Sequence, residues 1–145
     1  MTTNRAVRRL GFSLIEVMTV CIIMGVLASF TVPRFSRAME QSRANIAVAN
    51  LRAIWSAQRL YWLQNRTYAP DLNTLLSANL IDPSLPGATI PYTYSIADAS
   101  DNWFTATATR GGSSSWSGGF TIAADGTFTG TVQQAGGVSL EPGFQ

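Results

Sequence analysis

The sequence predicts an α+β chain of 145 residues, one long N-terminal α-helix packed on a small antiparallel β-sheet. Three observations carry that prediction. Residues 17–33 are uncharged and apolar, and residues 36–66 continue without Gly or Pro in a helical pattern. Short segments rich in Thr, Tyr, Phe and Trp, separated by Gly and Pro, follow residue 91. Asp125-Gly126 stands between two of them and reads as a type I′ hairpin turn.

Composition narrows the chemistry. Only 12% of residues are charged and 46% are hydrophobic. All ten basic residues are Arg, and the chain has no His, which removes the commonest general base and metal ligand. Cys21 is the single cysteine, so no intrachain disulfide, zinc cluster or paired-cysteine redox motif can form. With no His and no usable Cys nucleophile, an enzyme is not expected. Arg5, Arg8 and Arg9 hold three of the positive charges. From Phe12 onward seven Arg face eight Asp and Glu, a net charge of −1. Without its first eleven residues the chain has no general basic character, and no specific nucleic-acid partner is predicted.

The first element is the apolar half of the helix. Residues 12–32 contain one charge, Glu16. As a helix they span about 31 Å, enough to cross a bilayer, and the preceding arginines hold the N-terminus on the cytoplasmic side. A cleaved secretory signal would need a small-x-small site before Pro33, and no clean one exists. A plain signal anchor leaves Glu16 unexplained, because an acid inside a spanning helix costs roughly 2.5–3.5 kcal/mol. Glu16 also reads as an acid snorkelling to the membrane surface, about one turn from the helix start. The second half is amphipathic: Ala47, Val48, Leu51, Ile54, Trp55, Gln58, Tyr61 and Trp62 form one stripe, a core face, with Glu40, Arg43, Asn50, Arg52 and Arg59 largely outside it. The helix is expected from about Phe12 to about Asn65. Gly25 and Pro33 work against it locally, as a kink or as a stretch able to unwind.

Residues 65–70 read as a loop. Residues 71–80 suit a short helix with Asp71 as N-cap and Leu72, Leu75 and Leu76 inward. Pro83, Pro86, Gly87 and Pro91 mark an irregular connector. Strands are predicted at 92–97, 103–110, 120–124 and 127–132, with a flexible loop at 111–115 and a loose tail at 133–145. Asp98, Ser100, Asp101 and Asn102 form an oxygen-rich cluster whose residue types suit a hard cation and equally suit an ordinary turn.

The string Arg8-Arg9-Leu10-Gly11-Phe12-Ser13-Leu14-Ile15-Glu16-Val17 resembles the start of the type IV pilin superfamily, which covers type IV pilins, competence pilins and the pseudopilins of type II secretion. Its pattern is a basic leader, Gly, an aromatic or Met, a small polar residue, two aliphatics and Glu. The resemblance is strongest over residues 8–35 and weaker in the sheet. It implies a leader at 1–11, a transmembrane and filament-core helix at 12–35, and a globular domain of the pilin fold at 36–145. A prepilin peptidase would cut between Gly11 and Phe12 and N-methylate Phe12. Glu16 would then neutralise the N-terminal ammonium of a neighbouring subunit, and Gly25 and Pro33 would bound a stretch that loses helicity on assembly.

The implied function is structural, a subunit of a type IV pilus-like filament. A type II secretion pseudopilin and a monomeric membrane-anchored binding domain are the alternatives. The implied partners are other pilin subunits, the prepilin peptidase, the inner membrane and a pilus or secretion assembly platform. The implied location is a single inner-membrane pass with a cytoplasmic N-terminus, then a periplasmic or extracellular filament. No cofactor is expected, and calcium at Asp98, Asp101 and Asn102 is the candidate metal site because major pseudopilins bind calcium in a comparable loop. Many pilins close a C-terminal loop with a disulfide, which this chain cannot do.

Co-expression with a prepilin peptidase should remove residues 1–11 and add one methyl group to Phe12, read as the intact mass of the membrane-extracted chain. A mature protein starting near Thr31 would mean an ordinary secretory signal.

Overall fold

The computed structural model describes residues 11–141. Arg5, Arg8 and Arg9 of the predicted leader and residues 142–145 of the predicted tail lie outside the described residues, as do the side chains of residues 31–33. The elements are α1 (Leu14–Asn65), α2 (Leu72–Ser77), β1 (Tyr92–Ala97), β2 (Thr105–Arg110), β3 (Trp116–Ala123), β4 (Phe128–Thr129), β5 (Val132–Gln134) and β6 (Ser139–Leu140). This is the long helix with an antiparallel sheet that the sequence predicts. The chain forms two units that divide between Ala38 and Met39.

In the first unit, α1 starts where the carbonyl of Ser13 accepts from the amides of Glu16 (3.0 Å) and Val17 (3.2 Å). The hydroxyls of Thr19 and Ser29 fold back onto the carbonyls of Ile15 and Val26, at 2.8 and 2.7 Å. These polar groups are therefore satisfied by their own helix.

In the second unit, Ala44, Ala47, Val48, Leu51, Ile54 and Ala57 of α1 are buried together with Tyr92, Phe104, Ala106, Ala108, Phe120, Ile122 and Val132 of the sheet. Alanines on both surfaces let helix and sheet approach closely. α1 ends where Arg66 adopts φ 59°, the left-handed conformation that closes many helices. Gln58, fully buried, then fixes the outgoing loop: its amide donates to the Ala69 carbonyl and accepts from the Ala69 amide, both at 2.8 Å. Asp71 caps α2 as predicted, accepting from the Thr74 amide at 2.7 Å. Leu72 and Leu75 are buried, while Leu76 is only half-buried.

The sheet runs β1-β2-β3-β5-β6, with β4 also paired to β3, and every pairing is antiparallel. β4 and β5 keep one register along β3, so they are a single strand interrupted at Gly130-Thr131. Two expectations are corrected here. The turn at residues 123–126 is not type I′: Gly126 carries the positive φ (88°) and Asp125 does not. Gly126 donates to the Ala123 carbonyl (2.9 Å) and Ala123 to the Thr127 carbonyl (3.0 Å), leaving one extra residue that glycine's freedom absorbs. The tail is not loose through residue 140 either. Gln133 and Gln134 belong to β5, β6 pairs with β5, and Leu140 is buried. Strand pairing thus holds the C-terminal region without a disulfide.

Asp71, Asp82 and Asp125 each accept hydrogen bonds that hold their carboxyls below the usual 3.8. The Thr74 amide leads for Asp71, the Ser84 hydroxyl for Asp82 and the Thr127 amide for Asp125. Their contribution is complete above about pH 4 and is lost as pH falls through the lower folded values. The melting temperature of the detergent-solubilised chain should therefore fall below about pH 4. The triple variant Asp71→Asn, Asp82→Asn, Asp125→Asn should show a shallower fall.

Candidate assembly site

Residues 11–13 precede α1, so the Gly11–Phe12 peptide lies outside the helical hydrogen-bond ladder. Gly11 is exposed with open space where a side chain would start, and Phe12 is 82% exposed. Glu16 sits in the first turn of α1. The first amides of a helix lack carbonyl partners and the helix dipole is positive there, so a carboxylate at this place is favoured. Ser13 and Glu16 match the Ser-x-x-Glu capping pattern in sequence, and the Glu16 amide donates to the Ser13 carbonyl. That signal was present in the sequence beside the filament pattern and supplies a local reason for an acid in this turn. Among the described residues no ion pair includes Glu16.

From Val17 to Phe30 the helix carries no charge and is exposed on every face. Leu14, Ile15, Val17, Met18, Ile22, Ile23, Met24 and Leu27 are all exposed, and the most apolar stretch of α1 is 0% buried. It is long and apolar enough to cross a membrane. Gly25 is exposed, and a Cβ there would meet nothing within 4 Å, so this chain's own packing does not require glycine at that place. Pro33 falls within the bounds of α1, with its side chain outside the described residues.

In the second unit, polar side chains of α1 tie the helix to the sheet and its loops. Glu40 was expected outside the core stripe and is instead 1% exposed. It pairs bidentately with Arg110 at the end of β2, Oε1 to Nε at 2.5 Å and Oε2 to Nη2 at 3.0 Å. Arg43 adds a third contact at 3.2 Å. Arg110 also donates to the carbonyls of Pro91 and Gly111 and lies over the Tyr92 ring, 5.7 Å from its centre. Burial, with the Glu40 charge beside it, pushes the Tyr92 phenol up to about 12. Further along α1, Asn50 donates to the Tyr94 hydroxyl (2.8 Å), Trp55 to the Ala124 carbonyl (3.0 Å) and Trp62 to the Asp101 carbonyl (2.7 Å).

Asp98, Asp101 and Asn102 are all exposed in the β1–β2 loop. Hydrogen bonds of the loop and its neighbours shape it. The Ser100 amide donates to the Trp103 carbonyl at 2.8 Å, and the Tyr68 amide donates to the Ser100 carbonyl at 3.1 Å. Among the described residues no group of three His, Cys, Asp or Glu side chains gathers as a metal site.

No family model matches the chain. Individual relatives do. The chain is 34% identical over 68 residues to the type IV major pilin protein PilA of Myxococcus xanthus, covering 47% of this chain and 31% of that protein. It is 37% identical over 79 residues to the type II secretion system core protein G of Vibrio cholerae, covering 54% and 53%. With the core protein G of Escherichia coli it shares 38% over 76 residues, 52% of each chain. These relatives support a place in the type IV pilin superfamily. The matches span from about a third to just over half of each relative's length. Pilin-like sequence and pilin-like fold thus agree in this chain.

Arg110→Met would leave Glu40 buried without its main partner and should destabilise the chain by about 3–5 kcal/mol in denaturant unfolding. Tyr92→Phe should behave oppositely. The Tyr92 hydroxyl is buried without a hydrogen-bond partner among the described residues, and its removal should raise stability by about 1 kcal/mol.

Proposed function

We propose that the chain is a structural subunit of a type IV pilus-like filament, with no catalytic role. The observation that carries this reading is the apolar half of α1, exposed on every face, with one acid in its first turn. An all-apolar helix needs lipid or other protein around it. A prepilin peptidase, cutting between Gly11 and Phe12 and methylating Phe12, would place an ammonium two residues before Leu14. That charge adds to the positive end of the helix dipole, so the N-terminus becomes strongly positive in an apolar setting. Glu16 of a neighbour supplies the compensating charge, and the pairing sets how far one helix slides along another. Before assembly the chain crosses the inner membrane once with its N-terminus in the cytoplasm. An assembly platform then draws it into a periplasmic or extracellular polymer, where Gly25 and Pro33 bound the stretch able to unwind.

A second reading is a type II secretion pseudopilin, favoured by the recurrence of core protein G among the relatives. Calcium at Asp98, Asp101 and Asn102 belongs to that reading. A chelator-sensitive, calcium-restored melting temperature of the full chain would support it.

Glu16→Ala should insert in the membrane and be cleaved, since it makes the helix more apolar. It should enter polymers about tenfold less well or worse, read as sheared polymer per cell against membrane-held subunit. Wild-type yield from Glu16→Ala would remove Glu16 as the register device. A wild-type chain that stays monomeric would favour the membrane-anchored binding domain.

A further inference from the structure

We infer that the groove between α1 and the outer edge of β4 takes residues 142–144 of this same chain, which continue β6 as a strand along β4. The inference does not depend on the filament reading. β6 pairs with β5 in a fixed register, Ser139 with Gln133 and Leu140 with Val132. Carried forward one residue at a time, that register sets Pro142 against Gly130, Gly143 against Thr129 and Phe144 against Phe128. β4 and β5 keep one register along β3, so the edge that receives β6 runs on without a change of direction.

The backbone of β4 is turned the right way. The carbonyls of Thr127 and Thr131 accept from the amides of Ala123 and Gly119 in β3, at 3.0 and 3.2 Å. The Gln134 amide points to the other side and donates to the Val138 carbonyl at 2.8 Å. Successive residues of an antiparallel ladder alternate in this manner, so Phe128 and Gly130 present their amides and carbonyls to the side on which β6 lies. Among the described residues β4 pairs only with β3. Pro142 can accept from the Gly130 amide and has none to give, which an edge strand tolerates.

Side chains name the occupant. Alternate strand residues share a face, and Val132 and Leu140 are both buried. Phe144 shares the face of Leu140, and it is the large apolar residue among 141–145. That face meets a groove of about 790 Å³ whose walls include Trp55, Ile122 and Phe128, with Arg52 5.3 Å from the centre of the Phe128 ring. Glu141 lines the same groove, so the chain enters it directly after β6. Gln41 of α1 donates to the Glu141 carbonyl at 3.3 Å and ties the entry to the helix. Burial of the Phe144 ring beside Phe128 drives the docking. The added strand also covers backbone groups that could otherwise pair with the sheet of another molecule.

The test uses the detergent-solubilised full chain carrying Cys21→Ser. Positions 129 and 143 face each other as a non-hydrogen-bonded pair, the closest approach of two antiparallel strands and within disulfide reach. Thr129→Cys with Gly143→Cys should oxidise to an intramolecular disulfide. Thr129→Cys with Pro142→Cys, on opposite faces, should not. Equal oxidation of the two pairs would mean that no fixed register exists, and disulfide-linked dimers would place a second copy at the edge; either result would overturn the inference. In the chain without added cysteines, the Phe128 and Gly130 amides should exchange with solvent about tenfold more slowly than in the Phe144→Ala variant. Free exchange of both amides in the purified chain would leave the edge to a strand of another protein and would also overturn it.

Discussion

The apolar half of α1 has no cover among the described residues, and this constraint governs the rest of the chain. A helix with Leu14, Ile22, Met24 and Leu27 exposed on different faces cannot stay in water. In the proposed filament, copies of the same helix would cover the surface that a bilayer covers first. Lipid and packed side chains are similarly apolar, so packing detail and charge pairing decide between the two environments. The internal hydrogen bonds of Thr19 and Ser29 fit both. Glu16 has a local place in the first turn of α1, and the proposed filament adds a neighbour's ammonium to it, which is why one acid carries so much of the functional reading.

The second unit solves a different problem, the attachment of a small sheet to a single helix face. Apolar burial supplies the driving force. Position is set by directional contacts at intervals along α1, from Glu40 to Arg110, through Asn50 and Trp55, to Gln58 and Trp62. Each reaches a strand or a connection, and together they resist sliding and rotation of the helix over the sheet. A chain without a disulfide gains from such spacing, because no single contact has to hold the C-terminal region.

Long periodic features were legible in the sequence. The stripe from Ala47 to Trp62 reports a helix face directly, and β1 followed from the Tyr-rich segment after Pro91. Glu40 was not legible, because its partner Arg110 is seventy residues away and a lone acid on a helix reads as solvated. The tail was misread for a related reason: Gln133, Gln134 and Ser139 look like linker until β3 offers an edge to pair with. The hairpin at Asp125-Gly126 was located correctly and its type was not, since Gly126 alone takes the positive φ. Among the site residues, Glu16 stood out by sequence alone, whereas its second role in the first turn needed the helix start at Leu14 to be known.

A density map of the isolated polymer, resolved to side chains, tests the central claim most directly. The account predicts the apolar half-helices at the centre, with each Glu16 carboxylate within about 4 Å of the N-terminal nitrogen of a neighbouring subunit's Phe12. Half-helices surrounded by lipid, or Glu16 facing solvent with no cation beside it, would contradict it.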